Sequence, residues 1–173
     1  MRPLRYALLT ALLLMSGCSA PSRSHPALEA TREFYAWYVP IANDLKYPGP
    51  SAGAVLKERP QSLTSELASA LREDLDAQAK AHEIVGLDFE PFLGTQDPCE
   101  KYDYTLVKAT DLSALVRIAT AKDHDCSVGP DSMVEWTLRE GRWRIANIRY
   151  EHGDLLAELR TLREDREHTP QAP

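Results

Sequence analysis

Near Tyr104 the apolar residues of this chain change their spacing, and that change limits the folds open to it. Upstream they recur at helical intervals; downstream they alternate. The stretch ALEATREFYAWYVPIANDL (27–45) puts Leu28, Phe34, Tyr35, Trp37, Tyr38, Ile41 and Leu45 on one helical face, with Glu29, Arg32, Glu33, Asn43 and Asp44 opposite. Pro40 falls inside that run, where the missing amide hydrogen and the ring predict a kink or break. KYPGPSAG (46–53) reads as a loop. A second helix is predicted over 62–86, with Leu63, Leu67, Leu71 and Leu75 stepping by four along one side. Ser62 or Thr64 would cap its start and Gly86 would end it.

From Tyr104 onward the period is two. YTLVKA (104–109), SALVRIAT (113–120), MVEWTLRE (133–140) and RWRIANIRY (142–150) are predicted strands. Val134, Trp136 and Leu138 alternate with Glu135, Thr137 and Arg139, the pattern of a strand with one buried face. Glu140-Gly141 predicts a tight hairpin. In the last strand Trp143 and Ile145 share one parity, and Ile148 and Tyr150 the other, which predicts a bulge near Asn147. GDLLAELRTLREDRE (153–167) then predicts a closing helix with Leu155, Leu159 and Leu162 inward. Helices followed by an antiparallel meander make this an α+β chain, with two N-terminal helices packed on one face of a bent four-stranded antiparallel sheet and a C-terminal helix. Roughly 140 residues beyond the N-terminal segment suit one domain, 28–167, with a frayed tail at 168–173.

The start of the chain carries its address. MRPLRYALLTALLLMSGC has a basic head (Arg2, Arg5) and an apolar run from Tyr6 to Met15. That run is too short to span a bilayer as a helix, which takes about 20 residues. A basic start, a short apolar run and small residues describe an export signal over 1–17. The small residues Ser16 and Gly17 before Cys18 resemble a bacterial lipobox, with Met15 where leucine is commoner. By that resemblance Cys18 is the first mature residue and carries the acyl chains; two or more chains hold firmly where one holds marginally. Ser19 stands where an aspartate would resemble an inner-membrane retention signal, so the outer membrane, facing the periplasm, is the expected location. SAPSRSHPA continues as a flexible tether, 18–27.

With Cys18 lipidated, Cys99 and Cys126 remain in an oxidising compartment, and one pairing is open to them. Loss of Arg2 and Arg5 with the signal takes the basic count from 20 to 18 against 26 acidic side chains, a net charge of −8. That balance argues against nucleic acid as a partner.

FYAWY (34–38), LDFEPFLGTQD (87–97) and GRWRIANIRY (141–150), in that order behind a lipobox, resemble bacterial envelope lipoproteins of the YbjP and YqhG type. The match covers about residues 28–151. That family belongs to the NTF2-like superfamily, so the resemblance implies a cone of bent sheet wrapped over the first helix. The family has no established reaction, so the resemblance leaves the activity open.

The connector 87–102 gathers Asp88, Glu90, Gln96 and Asp97 near Phe89, Phe92 and Tyr102. Acids beside aromatics on a loop can line a pocket mouth and receive a cationic or sugar-like ligand. Equally, Phe89, Phe92 and Leu93 can plug the open end of the fold, with Asp97 capping a turn beside Pro98. Tyr35, Trp37 and Tyr38 read either as a cavity wall or as core, and Asn147 as a partner for their polar tips. KDHDCSVGPDS (122–132) alternates Asp123, Asp125 and Ser127, but Val128 and Val134 stand where a calcium loop needs glycine and a bidentate glutamate. His124 alone does not make a zinc site. No nucleophile elbow, phosphate loop or HExxH motif is present. No catalytic residue, metal or cofactor is expected. The expectation is a non-catalytic, lipid-anchored binding domain whose partner is an envelope protein or a small ligand, with homodimerisation through the open sheet face left open. Its first rival is an immunity or inhibitor lipoprotein against a toxic envelope enzyme. Its second is a small isomerase or hydratase using a loop acid such as Asp97.

Overall fold

The computed structural model describes residues 24–81, 86–122, 126 and 131–168. The export signal, Cys18, most of the tether, the Asp123–Asp125 stretch and residues 169–173 lie outside them. Among the described residues, no helix is long and apolar enough to cross a membrane.

Helix α1 (Pro26–Ala42) begins at His25, whose Nδ1 accepts a hydrogen bond from the Ala27 amide at 3.2 Å, with Pro26 in the first turn. Phe34, Tyr35, Tyr38 and Val39 are buried along it. Pro40 does not break the helix before Ala42, because it falls in the last turn, where little helix remains to lose. Leu45 lies past that end and is fully exposed, not on the inward face.

The predicted loop 46–53 is shorter than expected, because Ser51–Glu58 form a helix, α2. Eight residues are too few to be stable as an isolated helix. Ala52, Ala54 and Val55 are buried, so packing supplies what propensity does not. A 3₁₀ turn at Pro60–Ser62 leads to α3 (Ser65–Lys80), capped by Thr64. Thus, among the described residues, three helices, not two, precede the sheet. Helix α3 stops at Lys80, well before Gly86, which instead sits at φ +88° against the Asp74 and Gln78 side chains.

The strands are β1 (Tyr102–Ala109), β2 (Ser113–Thr120), β3 (Ser132–Arg139), β4 (Arg142–Tyr150) and a two-residue β5 (Gly153–Asp154). Among the described residues they form one antiparallel meander in sequence order, five strands rather than four. Glu140 and Gly141 turn the β3–β4 hairpin with φ of 51° and 73°, the left-handed pair of a type I′ turn. In β4 the pairing moves from Ile145 opposite Trp136 to Asn147 opposite Glu135, so one extra residue is accommodated there. That slip lets both Ile145 and Ile148 point into the core. Helix α4 (Leu155–His168) buries Leu155 and Leu159.

All helices lie on one face of the sheet: α1 over β1 and β2, α3 and α4 against β4 and each other. The layer between is filled by Phe34, Tyr35, Tyr38, Phe92, Trp136 and the aliphatic residues of the strands. Asp74 is the exception on α3, a carboxylate only 1% exposed. Arg166 of α4 meets it at 2.7 Å, and Gln78 Nε2 donates to its other oxygen at 2.8 Å. Cys99, just before β1, is bridged to Cys126 in the β2–β3 connection, with Cα atoms 5.9 Å apart.

Candidate functional site

The connector between α3 and β1 passes over the end of the aromatic core and is held there by its main chain. Three successive carbonyls each receive a hydroxyl. Tyr150 donates to the Pro91 oxygen at 2.6 Å, Tyr35 to the Phe92 oxygen at 2.6 Å, and Ser132 to the Leu93 oxygen at 3.1 Å. The loop closes on itself where the Glu90 amide donates to Thr95 O at 2.8 Å and the Gly94 amide to Glu90 O at 2.8 Å. Gly94 has φ +70°, and a Cβ there would come within 2.6 Å of Ser132 Oγ. Phe92 and Leu93 are buried; Phe92 packs against Phe34 at 5.4 Å and Tyr38 at 5.1 Å between ring centroids.

At the upstream end of this turn, Glu90 reaches inward between α1 and the start of α2. The Tyr38 hydroxyl donates to one carboxylate oxygen and the Ser51 hydroxyl to the other. The two hydroxyls lie 2.9 Å apart. Burial raises the Glu90 carboxyl above its ordinary range, and the bonds from Ser51 and Tyr38 pull it back down in part. Burial, reinforced by the Glu90 charge, pushes the Tyr38 phenol well above its usual value; burial does the same to Tyr35. Both oxygens of Glu90 are therefore engaged by fixed donors, the arrangement of a structural clasp.

Of the residues singled out from sequence, Tyr35, Tyr38, Glu90 and Phe92 converge. Asp88, Gln96 and Asp97 do not join them: all three are exposed on the outer side of the connector. Gln96 Nε2 reaches back to Asp88 O at 3.3 Å, and the Asp97 amide donates to Thr95 Oγ1 at 3.2 Å. Trp37 is half-buried against the core beside Phe34 and Tyr38, with the Arg59 guanidinium 4.7 Å from its ring centroid. Asn147 serves another end of the fold. Its Nδ2 donates to Asp154 Oδ1 at 2.8 Å and its Oδ1 accepts from the Leu156 amide at 3.1 Å, so it caps α4 rather than meeting the tyrosines.

Tyr150 and Ser132 hold the connector although neither stood out in the sequence; an aromatic and a small hydroxyl in strands read simply as strand residues. Tyr102 closes the connector, and its hydroxyl accepts from the Cys99 amide at 2.8 Å. Asn43 ties α1 to the same segment, donating to Cys99 O at 3.1 Å.

Open space lies outside the core. A groove of about 420 Å³ runs between α1 and the first half of β1, bordered by Tyr35, Val39, Glu100, Tyr102, Asp103 and Tyr104. A smaller one of about 220 Å³ lies between α3 and α4. Among the described residues no cluster of His, Cys, Asp and Glu is placed to hold a metal ion.

No family model and no curated protein matches the sequence. Among solved structures, the fold is similar to a chain of the type VI native effector–immunity complex Tae3–Tai3 from Ralstonia pickettii. The TM-score is 0.51 at 20% identity, over 75% of this chain and 97% of that one. A selenomethionine crystal structure of the Tae3–Tai3 complex from the same organism also matches, with TM-score 0.47 and 19% identity over 72% of this chain and 95% of that one.

Proposed function

We propose that this chain is an immunity lipoprotein of the bacterial envelope, which binds a toxic effector protein and blocks it. The observation that carries the reading is the likeness to a chain of an effector–immunity complex, which extends over nearly the whole of that chain. The interior supports the immunity member of such a pair. The space between α1 and the sheet is occupied by side chains, and both oxygens of Glu90 are engaged. A small isomerase or hydratase would need a cavity there with an acid free to take a proton. In this reading Cys18 carries the lipid, and the domain stands in the periplasm from the outer membrane as an NTF2-like cone of the kind found in YbjP-type lipoproteins.

The test is protection. A strain lacking this protein is mixed on a surface with its parent, which still makes the effector. The expected result is death of the deleted strain only where the two touch, with survival restored by the full chain. Equal survival of the deleted strain beside its parent would end the immunity reading.

A further inference from the structure

Among the described residues, strand β1 lies at the edge of the sheet, paired on one side only. The Ala121 amide donates to Lys101 O at 3.2 Å, which sets the phase of the β1–β2 ladder. Bonded and non-bonded pairs alternate along an antiparallel ladder. Asp103 and Thr105, opposite Ala119 and Arg117, therefore turn their main-chain groups toward β2. Tyr102, Tyr104 and Leu106 turn theirs to the free edge.

Exposed strand edges are normally blunted by bulges and lysines. One half of β1 is: its register slips between Leu106 and Lys108, and Lys108 follows the slip. The other half, Tyr102 to Leu106, carries neither device, and it is this half that borders the larger groove. A strand added here would hydrogen-bond to Tyr102 and Tyr104, and the residue opposite Tyr104 would point to the side on which α1 packs. That side offers the rings of Tyr102 and Tyr104, half-buried over the fully buried Tyr35, with Glu100 exposed at the rim. Aromatic faces beside a carboxylate favour a cation. Lys101 and Asp103, also beside the groove, alternate to the other face of the sheet and offset each other, in a chain with 26 acidic against 20 basic residues.

We propose that the unblunted half of β1 takes an extended segment of a partner protein as an added strand, seating a lysine or arginine of that segment in the groove. This docking mode does not depend on what the partner does, and the protection experiment can fail while it holds.

The probes are fluorescein-labelled pentapeptides, TVKVT, TVEVT and a TVKVT with alternate backbone nitrogens methylated, titrated into the full chain by fluorescence anisotropy. TVKVT is expected to bind at least about tenfold more tightly than TVEVT, and methylation to abolish binding. Glu100→Lys, at an exposed position, is expected to reverse the preference with the melting temperature unchanged, and Lys108→Ala to leave it intact. Absent binding, equal binding of the lysine and glutamate peptides, or indifference to methylation would each overturn the proposal. So would self-association of the full chain that Glu100→Lys disrupts, which would assign the edge to a second copy.

Discussion

Glu90 and Asp97 both belong to the acidic connector, yet the fold treats them oppositely. Glu90 is gripped by Tyr38 and Ser51 and its carboxyl is raised by burial, so the folded chain holds that proton more tightly than the unfolded one. The contribution of a raised carboxyl to stability falls as pH climbs above the ordinary glutamate value. Subtracting the melting temperature of Glu90→Gln from that of the natural protein should therefore give a difference that shrinks from about pH 4 to pH 7. A difference that grows with pH would mean the carboxylate is favoured, not penalised, by its surroundings. Asp97→Ala, by contrast, should move stability by no more than about 0.5 kcal/mol, since the side chain is exposed. The sequence shows the acids and the aromatics together but not which acid turns inward. That choice is made by Tyr38 and Ser51, which lie 52 and 39 residues away in the chain. Asp74 was less legible still: it stands among Glu73 and Asp76 with nothing to mark it as the buried one.

At the level of elements, periodicity alone located α1, α3, α4 and the four long strands, because each has a full apolar face to bury. Helix α2 and strand β5 escaped because neither carries a repeat long enough to show; both are held by their neighbours. The partnership of α3 with α4 was equally hidden, since Asp74 and Arg166 are 92 residues apart. Removing one member of a buried ion pair leaves the other uncompensated, whereas replacing both with apolar groups is far milder. Arg166→Met should therefore cost about 3 kcal/mol in chemical denaturation, and Asp74→Leu combined with it should recover most of that loss. A double variant destabilised by the sum of the separate Arg166→Met and Asp74→Leu losses would show that the pair contributes no coupling between the two helices.

For the whole molecule, the bridge between Cys99 and Cys126 joins the start of β1 to the β2–β3 connection across 27 positions. By loop-closure entropy its loss should cost about 3–4 kcal/mol. Cys126→Ser should accordingly lower the melting temperature by roughly 10 °C for a domain of this size. An unchanged melting point would show that the unfolded chain gains no freedom from the cut. The α+β class followed from the change of apolar spacing alone, whereas the groove beside β1 could not be read at all, because it arises from how α1 crosses the sheet. The hydroxyls of Tyr150, Tyr35 and Ser132 fasten to peptide oxygens, which every amino acid carries alike. The outward flanks at Asp88, Gln96 and Asp97 add only local bonds within the connector, and a foreign epitope or affinity tag spliced into them would be displayed on a ready-made rigid mount.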